Sequence, residues 1–134
     1  MTKFETEISV RPNEIDINRH VHQSVYLDYI LFARFDQMKR CYKMSMEEFF
    51  KMGYSWTTKA IHLEFIKPIC LGETVIVRTW VEEVRKKSVK VSYQILKKGT
   101  KEIVTEGWGV YVLIGISTGK PEIIPEKVIK KYSI

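Results

Sequence analysis

The chain has no apolar run approaching the roughly 20 residues that span a bilayer, and its start, Met1-Thr2-Lys3-Phe4-Glu5, has no apolar stretch of the signal-peptide kind. A soluble, cytoplasmic protein that does not enter a membrane is expected. Cysteine is scarce, with only Cys41 and Cys70 present and no Cys-x-x-Cys spacing, so neither a disulfide nor a zinc site is expected. The seven glycines and four prolines are spread thinly and leave no linker, low-complexity tract or repeat. Residues 1–134 therefore read as a single domain. No basic run is interleaved with stacking aromatics. The densest, Arg85-Lys86-Lys87, falls between two strand-like segments as a solvated turn. The net charge of +6 favours an anionic partner such as a phosphorylated cofactor or an acidic protein, and nucleic acid is not the expected one.

What is present is an apolar fraction of 45% in 134 residues, enough to bury a core. Residues 3 to 11 alternate Phe4, Thr6, Ile8 and Val10 with Glu5, Glu7, Ser9 and Arg11, the period of a strand with one buried face, and Pro12 ends it. From Val25 to Ala33 every residue except Asp28 is apolar or aromatic, and the pattern continues at Phe35, Met38 and Cys41. That length predicts a helix, buried nearly all round, with Ser24 as its N-cap. Ser45-Met46-Glu47-Glu48 has capping-box spacing and Gly53 suits a helix end, predicting a short helix over 46–52.

Segments around 57–66, 74–84, 88–97 and 102–115 are rich in Val, Ile, Thr, Tyr and Trp and are separated by turn residues. Val89, Val91, Tyr93 and Ile95 alternate with Lys90, Ser92 and Gln94, as in an antiparallel sheet with one wet face. One strand, a buried helix and then four strands joined by short connections predict an α+β fold, a single curved sheet around a helix. Gly107 and Gly109 in the last strand predict a bend or a close backbone approach. A last helical turn is expected over 126–131.

The stretch from Asn13 to Tyr26 sets Asp16, Asn18, His20 and His22 between the first strand and the long helix. A carboxylate and an imidazole near a helix N-terminus can cooperate with its free backbone N–H groups, which polarise a carbonyl or stabilise an oxyanion. Asx side chains in such a loop also shape turns by bonding nearby backbone, and a lone histidine there is more often a satisfied loop residue.

These residues, Asp-x-Asn-x-His-Val followed by Tyr26 and an apolar helix with the Ala33-Arg34 pair, resemble the hotdog-fold acyl-CoA and acyl-ACP thioesterases, the 4-hydroxybenzoyl-CoA thioesterase-like superfamily. Ile61-His62-Leu63-Glu64-Phe65-Ile66-Lys67-Pro68-Ile69-Cys70-Leu71-Gly72-Glu73 is similar to that family's strand and Pro/Gly turn, and the resemblance covers roughly residues 4–116. It implies a hotdog fold, an antiparallel five- or six-stranded sheet wrapped around a long central helix. It also implies hydrolysis of a fatty or aromatic acyl thioester carried on coenzyme A or acyl carrier protein (ACP).

In that reading Asp16 is the general base on water or the nucleophile. Asn18 and His20 orient water and substrate, and backbone N–H groups around Gln23 bind the carbonyl oxygen. His22, Gln23, Tyr26 and Glu64 are the expected substrate contacts, with Glu64 facing a neighbouring subunit, the acyl cleft or plain solvent. No metal or redox cofactor is implied, the carrier being part of the substrate. A homodimer or homotetramer with the cleft between subunits is expected, with Arg78, Arg85, Lys86, Lys87 and Lys90 as candidates for the carrier phosphates. Arg19 stands where the family usually has Gly, and His22 where it usually has Asn. Two rivals remain: a hotdog hydratase or dehydratase, against which Arg19 and the position of His20 argue, and a non-catalytic acyl-binding domain that would not need Asp16.

Overall fold

The alternation at the start of the chain becomes β1 (Phe4–Ser9), with Thr6 buried and Phe4 and Ile8 packed at the core margin. The structure is a computed structural model describing residues 1–134. A short 3₁₀ turn at Pro12–Glu14 and a loop lead to α1 (Gln23–Arg40). Then come α2 (Met46–Lys51), β2 (Tyr54–Phe65), β3 (Thr74–Val84), β4 (Ser88–Lys97), β5 (Ile103–Gly115) and α3 (Glu126–Tyr132). The strands form one antiparallel sheet in the order β1-β3-β4-β5-β2, so β1 and β2 are its free edges. Five strands rather than six, and the four segments after α2, match the expectation to within about three residues at each boundary.

α2 ends where its sequence signals place the end. Ser45 Oγ accepts the Glu48 N–H while the Glu48 carboxylate accepts the Ser45 N–H, and Gly53 takes φ +86° just beyond the last turn. The start of α1 differs from expectation: His22, not Ser24, is the N-cap, and its side chain makes no capping bond. The loop is pinned before that residue, because the His22 N–H donates to the Glu14 carbonyl at 2.9 Å.

Nor is α1 buried all round. Tyr26, Tyr29, Ile30, Ala33, Arg34, Gln37 and Met38 face the sheet, whereas Leu27, Leu31, Phe32 and Phe35 are exposed. The sheet of one chain covers one side of the helix only, leaving Leu27, Leu31 and Phe35 uncovered on the β2 side and Phe32 on the β1 side. On the covered side, the buried Gln37 amide donates to Thr6 Oγ1 at 3.0 Å and to the Val77 carbonyl at 3.3 Å, and accepts from the Thr79 hydroxyl. This network fixes α1 to β1 and β3, and the apolar core of Val75, Val77, Val89, Val91, Ile95 and Leu113 closes beneath it.

β5 and β2 approach closely where Gly107 stands opposite Leu63, and a Cβ built at Gly107 would fall onto the His62 carbonyl. The sheet therefore needs a residue without a side chain there. Gly107→Ala is expected to cost about 1–3 kcal/mol of stability through forced backbone displacement, read as a lower urea midpoint. An unchanged midpoint would mean that β2 and β5 are not held this close.

Candidate active site

The loop between β1 and α1 is a small hairpin, with Ile15 bridged to Val21 and His20 bridged to Cys70. The Asp16 N–H donates to the His20 carbonyl at 2.8 Å, and the Val21 N–H to the Ile69 carbonyl at 2.8 Å. Asp16 Oδ1 accepts the backbone N–H groups of Asn18 at 2.8 Å and His20 at 3.1 Å. This is the turn-shaping bond that Asx residues favour. It uses one carboxylate oxygen. Oδ2 has no intrachain donor, and Asp16 lines a cleft of about 370 Å³ with His20, Val21, Gln23, Tyr26, Phe65, Ile66, Lys67 and Pro68.

α1 begins at this cleft, with Gln23 in its lining. The Gln23 and Ser24 N–H groups have no intrachain acceptor; the first backbone donor engaged there is that of Val25, which reaches the His22 carbonyl at 3.0 Å. Two free N–H groups at a helix N-terminus form a site for a carbonyl oxygen that is gaining negative charge. The Tyr26 ring lies edge-on to Phe65 with centroids 4.9 Å apart, and its hydroxyl accepts the Ile69 N–H at 3.4 Å. Burial pushes the Tyr26 hydroxyl above its ordinary value, so it stays protonated at neutral pH.

The structure therefore brings Asp16, His20, Gln23 and Tyr26 to one cleft. Asn18 and His22 are exposed and outside its lining; Asn18 contributes its backbone N–H to Asp16. Glu64 faces the other side of the sheet. Phe65 points to α1, so the preceding residue points away, and Glu64 joins His62, Trp80, Gln94, Glu106 and Trp108 around a separate cleft of about 300 Å³. None of Arg78, Arg85, Lys86, Lys87 and Lys90 lines the Asp16 cleft. Arg78 is paired with Glu5 at 2.8 Å, Arg85 with Glu83 at 2.9 Å, and Lys90 sits over Trp108.

The cation at the cleft is instead Lys67, ion-paired with Glu102. Sequence reasoning missed it, although the end of a strand followed by a proline turn is a place where a side chain is carried to the mouth of a cleft. It also missed Glu14, whose side chain is buried. Glu14 accepts the Tyr29 hydroxyl at 2.7 Å, the Arg11 N–H at 2.8 Å and the Arg11 guanidinium at 2.8 Å. Burial alone would raise the Glu14 pKa, and the bonds from Arg11 and Tyr29 together outweigh it, so the group lies below its ordinary value.

Arg19 occupies the left-handed region at φ +65°. This explains why glycine suits the position, since a left-handed residue with a Cβ is strained.

A family profile described as the thioesterase-like superfamily matches residues 10–132. The chain is 25% identical to a DHNA-CoA thioesterase from Staphylococcus aureus, covering 99% of this chain and 90% of that one with a TM-score of 0.91. It is 27% identical to a Thermus thermophilus protein described as hypothetical, over 96% of each chain with a TM-score of 0.88. It is also 22% identical to the long-chain acyl-CoA thioesterase FadM of Escherichia coli, over 87% of each protein.

Arg19→Gly is expected to raise stability by up to about 1 kcal/mol, because the relieved strain exceeds the entropy gained by the unfolded chain; a lower melting temperature would contradict this. Glu14 has a depressed folded pKa, so its stabilisation is complete above its ordinary value of 4.5 and is lost as the pH falls through the folded value. Glu14→Gln is expected to lower stability at neutral pH and to flatten the acid limb of the stability curve below about pH 5, measured by denaturant titration across pH.

Proposed function

The chain belongs to the thioesterase-like superfamily and is a thioester hydrolase, and we propose that it cleaves a fatty or aromatic acyl group from coenzyme A or acyl carrier protein in the cytoplasm, using Asp16. The observation that carries this reading is the division of labour within one carboxylate. Oδ1 holds the loop, while Oδ2 is left without a donor in a cleft that Gln23, the first residue of α1, also lines with its backbone N–H unengaged.

With the thioester carbonyl oxygen between the Gln23 and Ser24 N–H groups, Oδ2 takes a proton from a water as its oxygen attacks the carbonyl carbon, or attacks that carbon itself. The tetrahedral oxyanion is held by those N–H groups and collapses by expelling the carrier's thiolate. A thiolate is a good leaving group, so no acid need stand behind it. In the direct route, water then hydrolyses the acyl–Asp16 anhydride. His20 lines the same cleft, and Lys67 is the cation in its lining for a carrier phosphate.

A second copy of the chain completes this picture. Leu27, Leu31 and Phe35 on α1 and Ile61 on β2 are exposed along the sheet's free β2 edge, and edge pairing with a second copy would cover both the apolar stripe and the unpaired backbone. The assembly is a homodimer, or a homotetramer built from two. Sedimentation at micromolar concentration is expected to show dimer or larger, and monomer alone would contradict the shared cleft.

Asp16→Asn tests the chemistry without disturbing the turn, because the amide oxygen can still accept from Asn18 and His20 but cannot act as base or nucleophile. It is expected to lose about 100-fold or more in kcat on a good acyl-CoA while keeping its melting temperature. His20→Ala is expected to lose less. Wild-type rates in Asp16→Asn would remove Asp16 from the reaction.

A further inference from the structure

Two tyrosines on the inward face of α1 differ in what their hydroxyls do. Tyr29 donates to the Glu14 carboxylate at 2.7 Å. Tyr26, three residues earlier and 4% exposed, only accepts: the Ile69 N–H reaches its oxygen at 3.4 Å, and no oxygen of the chain takes its proton. Burial, and to a smaller degree the negative charge of Asp16, holds that proton in place at neutral pH. A protonated phenol both donates and accepts, and only the accepting half is used. A buried donor left without an acceptor is costly, and native structures seldom keep one.

The bond that the hydroxyl does make fixes its place. Its oxygen lies against the Pro68–Ile69 peptide, and Tyr26 and Pro68 both line the Asp16 cleft. The Ile69 carbonyl takes the Val21 N–H at 2.8 Å, which ties this peptide to the hairpin that carries Asp16. Asp16 Oδ1 is committed to the Asn18 and His20 N–H groups, whereas Oδ2 has no intrachain donor. One cleft therefore holds a donor that lacks an acceptor and an acceptor that lacks a donor. The two make no direct hydrogen bond, yet the Asp16 charge is felt at the Tyr26 hydroxyl. Buried waters occur where they satisfy polar groups that the chain leaves unpaired, and they bridge groups too far apart to bond directly.

We propose that Tyr26 is a catalytic residue whose hydroxyl donates to the attacking water while that water donates to Asp16 Oδ2, so that Asp16 acts as general base and not as nucleophile. Resting on the thioesterase reading of the Asp16 cleft, this assignment chooses between its two routes. Accepting from Tyr26 and donating to Asp16 uses one lone pair and one proton of the water, which leaves the second lone pair for the thioester carbonyl carbon. As the new C–O bond forms, the proton shared with Asp16 passes to Oδ2. The tetrahedral intermediate then breaks its C–S bond with the electron pair on sulfur. The departing thiolate takes the proton from Asp16, leaving carboxylic acid and thiol. Tyr26 keeps its own proton throughout.

Tyr26→Phe removes the hydroxyl and keeps the ring that packs on Phe65. On whichever of decanoyl-CoA and benzoyl-CoA the wild type hydrolyses faster, it is expected to lose about tenfold or more in kcat. KM, and the affinity for the matching acyl-CoA thioether, are expected to stay within about threefold of wild type, whereas a merely structural tyrosine would lower affinity and melting temperature together with the rate. Single turnover in oxygen-18 water with enzyme in excess is expected to place the label in the released acid and none in Asp16, read by mass spectrometry of the peptide that contains it. Wild-type kcat in Tyr26→Phe overturns the proposal. So does label in Asp16, which assigns the direct route, and so do equal losses in kcat and affinity, which make the hydroxyl a holder of substrate or fold.

A crystal structure of the wild type adds a readout that needs no hydrolysis: a water within hydrogen-bond distance of both Tyr26 Oη and Asp16 Oδ2, absent in Tyr26→Phe. An active wild type without this water overturns the proposal alone. A chain that holds the water yet is inert toward every acyl thioester overturns the thioesterase reading.

Discussion

The Glu14 carboxylate is the point on which the site's geometry depends. It sits where β1 has ended and α1 has not begun, buried, and it gathers a hydroxyl from α1 at Tyr29 and both backbone and guanidinium donors from Arg11. The same residue's carbonyl takes the His22 N–H. One residue therefore fixes the exit of β1, the path of the loop and the first residue of the long helix. The low dielectric that makes an unpaired carboxylate costly there also strengthens each of these bonds. The Asp16 turn is built on that frame. With the loop ends held, Asp16 needs only one oxygen to close the hairpin, and its other oxygen is left facing the cleft.

The fold could be read from the chain wherever a local pattern had a single physical solution. The alternation in β4, the Ser45–Glu48 box and Gly53 each specify local geometry that the packed structure does not override, and all three appear as expected. The helix N-terminus differs from its sequence signal because Ser24 is a good capping residue in isolation, whereas the actual start is set by the bond from His22 to Glu14, a contact that propensity does not register. The exposed stripe of Leu27, Leu31 and Phe35 departs from the sequence pattern for a different reason. Apolar residues all round a helix say that every side is covered by something, but not whether the cover belongs to the same chain.

The site was legible in part. Asp16, His20, Gln23 and Tyr26 do converge, because they are close in sequence and the loop is short. Glu64, Lys67 and the basic residues required knowledge of which face each strand turns to the helix, and a one-residue shift in that parity separates Glu64 from the cleft that Phe65 lines. Arg34 was visible only as half of an Ala-Arg pair. Its burial against the Tyr111 ring is a property of the folded molecule.

Asp16 does chemistry with one oxygen while the other keeps the architecture, so removing the charge should separate catalysis from binding. The direct measurement is calorimetric titration of wild type and Asp16→Asn with an acyl-CoA thioether, which places a methylene-linked sulfur where the scissile bond would be and cannot be hydrolysed. Equal affinities, within about threefold, are predicted for the two proteins. An affinity that falls in Asp16→Asn by as much as its turnover would show that the carboxylate holds the substrate or the loop and does not carry the reaction.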